Sequence, residues 1–185
     1  MTPSALRLAE YLETNGILTC NRNPWLPSLE NIGCGWTDVT ALIDAHALFY
    51  CKTFRGRTTY LSPKACFPLR RCRAPRIMTE DSWQSFEALS VGPPLDTKAL
   101  RWITGLPSKA YAAAFGALLE DMEITAVGNG NVLNPSWSAF LYGTAGAWEA
   151  CRDAPPVSEN PEAALWDMLS RTVGRKDFER LLGER

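Results

Sequence analysis

Leu48-Phe49-Tyr50-Cys51-Lys52-Thr53-Phe54-Arg55-Gly56-Arg57-Thr58-Thr59-Tyr60-Leu61-Ser62-Pro63 decides how the rest of this 185-residue chain is read. Two runs rich in aromatic and β-branched residues, 47–53 and 57–61, flank Phe54-Arg55-Gly56, and such runs around a glycine turn predict a β-hairpin. Side chains alternate along its strands, so Arg57 and Thr59 share one face while Thr58 and Tyr60 share the other. Ser62-Pro63 joins an N-cap to a first-turn proline and predicts a short helix through Phe67 toward Arg70.

Upstream, residues 4–14 place Ala5, Leu8, Ala9 and Leu12 on one helical face, and Asn15-Gly16 supplies the stop. Residues 21–35, with Asn-Pro, Leu-Pro and two glycines, predict irregular chain with a short helix from Ser28. Another helix follows Trp36, with Thr37 as N-cap and Val39, Leu42 and Ile43 inward, ending at Ala45. Helices followed by a hairpin is the winged-helix order.

Downstream, 74–78 reads as a linker. Thr79 caps a helix through Trp83, Phe86 and Leu89, which Val91-Gly92-Pro93-Pro94-Leu95 interrupts. Residues 96–103 form a short helix, Gly105-Leu106-Pro107 a tight turn, and Ser108 opens a longer helix with Tyr111, Phe115, Leu118, Leu119 and Met122 on one face. Ile124–Val127 and Asn131–Leu133 around Gly128-Asn129-Gly130 predict a second strand-turn-strand unit. The aromatic stretch Trp137, Phe140, Tyr142 and Trp148 has no assigned element. Pro155-Pro156 marks a break, Asn160-Pro161 opens a helix with Ala164, Leu165, Met168 and Leu169, and 176–182 a last one. The expectation is an α+β protein of tandem winged-helix (helix-turn-helix) modules, 1–73 and 79–135, followed by a helical segment, 136–185, packed on both.

Net charge of −1 hides an asymmetry: residues 1–78 carry ten Lys/Arg against five Asp/Glu, residues 79–185 nine against fifteen. No acidic residue lies between Asp44 and Glu80, where Lys52, Arg55, Arg57, Lys64, Arg70, Arg71, Arg73 and Arg76 fall. Such a block either neutralises phosphates, gaining affinity by counterion release, or docks on the acidic half of its own chain. No apolar run approaches the ~20 residues of a bilayer span. Six cysteines without a Cys-x-x-Cys pair read as reduced thiols in a cytoplasmic protein.

The hairpin from Leu48 to Pro63 resembles the wing of bacterial proteins related to the winged-helix DNA glycosylases that unhook interstrand crosslinks, and Gly105-Leu106-Pro107-Ser108-Lys109 resembles the helix-turn-helix turn of that superfamily. The resemblance covers about 50 of 185 residues. It implies tandem winged helices and a DNA-linked role. It does not carry the activity across, because those glycosylases use two glutamines separated by one apolar residue and this chain has one glutamine, Gln84.

Lys52, Arg55 and Arg57 at the hairpin turn, with Lys64, Arg70, Arg71, Arg73 and Lys109, are the expected DNA-contacting residues, against the alternative of an exposed charged edge that keeps the sheet soluble. The outer face of the helix from Ser108 would show Ser108, Lys109, Ala112, Ala113 and Gly116, which lacks groups that read base edges and suits close packing or dimerisation. His46 stands alone, without cysteine spacing for a metal. Glu120, Asp121 and Glu123 read as a solvated or self-repelling helix end. No catalytic set, metal or cofactor is expected.

Three functions remain: a DNA-binding protein holding the backbone non-specifically, accessory to repair or regulatory; a protein-interaction or homodimerisation module; and a degenerate glycosylase-like enzyme. A continuous positive stripe over both hairpins would favour the first, and a basic patch buried against the acidic half the second.

Overall fold

The computed structural model describes residues 1–134, 137–152 and 158–183, and the protein is a mixed α+β structure. Helix α1 (Pro3–Asn15) starts where Thr2 Oγ1 accepts from the Ala5 N–H, buries Ala5, Leu8 and Leu12, and stops at Gly16, whose φ of 77° lets its N–H reach the Leu12 carbonyl. Strand β1 (Ile17–Thr19), a 3-10 turn (Glu30–Ile32) and helix α2 (Trp36–Asp44) follow. The cap of α2 is Gly35 rather than Thr37: the Asp38 carboxylate turns back to accept from the Gly35 N–H.

Strands β2 (Phe49–Phe54) and β3 (Arg57–Leu61) make the predicted hairpin, and β1 joins it to give an antiparallel sheet ordered β1-β3-β2. Arg55 and Gly56 both have positive φ, 54° and 66°, as the two central residues of a tight hairpin turn require. Ser62 caps α3 (Pro63–Cys72) through the Ala65 N–H.

The second half runs α4 (Glu80–Ser90), α5 (Thr97–Thr104), α6 (Ser108–Glu120), β4 (Ile124–Asn134) and β5 (Trp137–Thr144). Leu95, between α4 and α5, exchanges two backbone hydrogen bonds with Tyr142 of β5, at 3.1 and 2.8 Å. Gly128-Asn129-Gly130 is not a turn: β4 passes straight through it, and its pairing with β5 shifts register between Ala126 and Gly128 and again between Asn129 and Val132. The glycines absorb these irregularities, and a Cβ at Gly130 would lie 2.8 Å from the Ala139 carbonyl oxygen. The unassigned aromatic stretch is therefore largely β5, with Phe140 and Tyr142 buried at period two, so the segment after 135 opens with a strand and is not wholly helical. Helices α7 (Ala145–Ala150), α8 (Pro161–Leu169) and α9 (Arg175–Leu182) complete the chain. The expected break at Pro155-Pro156 lies outside the described residues. No helix among the described residues is long and apolar enough to cross a membrane.

The halves are joined by chemistry that local sequence does not display. The Tyr50 N–H donates to Thr125 Oγ1 (2.9 Å) and that hydroxyl donates to the Tyr50 carbonyl (3.0 Å), while Asn129 reaches across to the Asp44 carboxylate. One apolar core takes Leu8, Leu42 and Tyr60 from the first half with Leu118, Phe140 and Tyr142 from the second. The other packs Phe49, Leu61 and Phe67 against Trp148, Leu165, Leu169 and Phe178.

Asp38, 5% exposed, makes stability pH-dependent. Burial alone would raise its pKa, but hydrogen bonds from Ser4 Oγ, the Gly35 N–H and Thr2 Oγ1, with the field of Arg7, outweigh burial and hold it below the ordinary aspartate value. A depressed folded pKa contributes stability that is present above the unfolded value, near 4, and is lost as pH falls through the folded one. Asp38→Asn is therefore expected to remove part of the decline in urea midpoint below about pH 4 while lowering the midpoint at neutral pH. A parallel pH profile for the variant would refute this.

Candidate nucleic-acid interface

The hairpin brings Lys52, Arg55 and Arg57 to one turn, but the turn is not free. Arg55 donates from Nε and Nη2 to Asp177 Oδ1 of α9, at 3.1 and 2.7 Å, and its guanidinium lies 4.4 Å from the Trp25 ring centroid; that of Arg57 lies 5.2 Å from the same ring. Trp25, from the irregular stretch after β1, was not legible as a partner, because no periodicity marks it.

Most of the rest of the basic block is paired with carboxylates, with Arg70 and Arg73 turned inward. Arg70 pairs with Glu149 at 2.7 Å and lies 4.0 Å from Glu123; Arg76 meets Asp121 at 2.8 Å. Arg73 meets Asp121 at 3.7 Å and donates to Thr53 Oγ1, with its side chain only 6% exposed. Lys64 pairs with Glu13. Asp121 and Glu123 are thus not a solvated or repelling helix end, because they receive Arg70, Arg73 and Arg76. Of the expected DNA-contacting residues, Lys52, Arg57, Arg71 and Lys109 have no ion pair among the described residues. Lys109 stands apart from the hairpin. Gly56 adjoins Glu120 at the far end of α6, about 16 Å along the helix at 1.5 Å per residue.

A second basic surface surrounds the α5–α6 turn. From Thr97 to Leu119 the chain holds Lys98, Arg101 and Lys109 and no carboxylate, although it lies within the acidic half. Asp96 caps α5 through the Ala99 N–H, and α5 buries only Leu100 and Thr104, so Lys98, Arg101 and Trp102 face outward. With Gly105 and Leu106 these three line an open cleft of about 430 Å³. Trp102 is 84% exposed. Gly105, at φ 64°, ends α5, and α6 begins at Pro107 without a side-chain cap, leaving Ser108, Lys109, Ala112 and Ala113 exposed and Gly116 half-buried. The acid-free run was the available signal for this surface.

Gln84 and two of the cysteines are held within the fold. Gln84 donates to the Thr104 carbonyl at 3.0 Å. All six cysteines are free; burial pushes the Cys51 thiol up to about 12 and the Cys66 thiol well above its ordinary value, which leaves both poor nucleophiles. No cluster of His, Cys, Asp or Glu suited to a metal occurs among the described residues. No family model, curated protein or solved structure matches the chain.

Proposed function

We propose that this is a non-catalytic, tandem winged-helix nucleic-acid-binding protein that holds the phosphate backbone through the α5–α6 turn of its second unit. The wiring supports the winged-helix reading: α4, the Leu95 bridge, α5, α6 and the β4–β5 hairpin in the second half, and α1, β1, α2 and the β2–β3 hairpin in the first, where only the 3-10 turn Glu30–Ile32 stands in place of a further helix. It agrees with the resemblance to proteins related to the crosslink-unhooking glycosylases, and the single, backbone-tied Gln84 separates it from their chemistry. In the first unit α2 is covered by β4 through Asn129, and most of the basic block is engaged with carboxylates. The observation that carries the proposal is the exposed Lys98, Arg101 and Lys109 within a stretch free of carboxylates. Phosphate contacts need only such charge, and Ala112 and Ala113 on α6 offer nothing to read base edges, so binding is sequence-tolerant.

The test is binding of two unrelated duplexes across a salt series. Replacing Lys98, Arg101 and Lys109 together by Ala is expected to weaken both equally and to lower the log-affinity versus log-salt slope by about 0.9 per lost phosphate contact. An unchanged slope refutes the proposal. A second reading, a protein-interaction module, draws on exposed Trp102 and Ile103, which with Arg101 have the composition of an interface centre. Wild type that binds no nucleic acid at low salt would favour it.

A further inference from the structure

Trp102 is the feature that backbone binding leaves unexplained. An indole offers one of the largest apolar surfaces of any side chain, and α5 has an inward face, Leu100 and Thr104, that does not include it. Lys98 lies one turn before Trp102 on the same helix face and Arg101 directly precedes it, so the ring stands among cations in one cleft with no carboxylate in its lining.

We infer that this cleft takes single-stranded nucleic acid, with one base stacked on the Trp102 ring and the flanking phosphates on Lys98 and Arg101. The inference rests on the backbone-binding reading above and adds a substrate class to it. A duplex offers phosphates to the cations but keeps its base faces stacked on one another, leaving the indole without a partner. A single strand offers both phosphates and free π-faces, the pairing that sequence-tolerant single-strand binders use. A second copy of this chain is the wrong occupant, because it would set Lys98, Arg101 and Lys109 against their own equivalents.

The experiment measures anisotropy of labelled oligothymidine and of a mixed-sequence duplex of equal length against the full chain. Trp102 is exposed, so its replacement leaves the core intact, and thermal melting checks this. Trp102→Ala is expected to weaken oligothymidine binding on the order of tenfold, with the salt slope kept. Trp102→Phe should retain most of the affinity, and Trp83→Ala, at another exposed tryptophan, all of it. Duplex binding should not respond to Trp102→Ala. Lys98→Ala with Arg101→Ala should weaken both ligands and reduce the single-strand slope by about 0.7 per lost contact. Oligothymidine affinity unchanged in Trp102→Ala, with dependence on Lys98 and Arg101 retained, overturns the stacking inference and leaves the backbone reading standing. Indifference to Lys98 and Arg101, or no binding by wild type, overturns both.

Discussion

Trp148→Ala is expected to cost about 3–5 kcal/mol, the range for emptying a large aromatic site in a packed core. The side chain is 1% exposed and meets Phe49 edge-on at 5.1 Å between ring centroids and Phe67 at 6.1 Å. Its indole N–H has no hydrogen-bond partner among the described residues, so the loss is packing and cavity rather than a broken polar contact. At about 2–4 °C per kcal/mol for a chain of this length, the midpoint should fall by roughly 10 °C. The same residue tests cohesion, because the core around it takes strands from the first half and helices from the C-terminal end. Calorimetry should show one lowered transition covering the whole chain. A change below 1 kcal/mol, or separate transitions for the two halves, would mean that Trp148 does not bind them together.

How much of this was legible follows from the range of each interaction. The Arg55-Gly56 turn and the caps at Ser62, Thr79 and Asn160 are written locally, since the residues that make each lie within four positions of one another, and the β2–β3 hairpin pairs residues no farther apart than Phe49 and Leu61. At Gly128-Asn129-Gly130 the local turn preference was overridden from a distance: pairing with β5 holds the segment extended, and Asn129 bonds to Asp44, 85 residues away. The charge asymmetry of the halves was readable and docking was one of its two readings, but nothing local matches Arg70 to Glu149 or Arg55 to Asp177. The sequence assigned no face to Trp102 within the short helix 96–103, and the structure leaves it 84% exposed. Periodicity marks the residues that suit burial, and α5 is too short and too one-sidedly packed to bury all of Leu100, Trp102 and Ile103.

Asp121→Ala is expected to destabilise the protein by about 3 kcal/mol, far more than loss of an exposed pair, because it strands a buried cation. Lys64 and Glu13 are about half exposed, and deleting Glu13 should cost no more than ~1 kcal/mol. Arg73 differs. Burial pulls its pKa down, the field of Arg76 adds to that, and Asp121 opposes both. An arginine nevertheless keeps its proton, so without Asp121 its charge stays buried with only the Thr53 hydroxyl and the weaker field of Glu120 to offset it. Arg76, 50% exposed, can turn to water and contributes little to the loss. A companion variant separates a stranded charge from simple truncation. Arg73→Met with Asp121→Ala leaves no buried ion and should recover most of the stability in urea unfolding, since buried pairs replaced by apolar groups are often neutral. If the double variant is as unstable as the sum of its parts, the pair is not an isolated buried charge couple. If it recovers, Arg73 belongs to the fold, and any effect of Arg73→Ala on nucleic-acid affinity acts through stability, while Lys98, Arg101 and Lys109 remain the contacts proposed above.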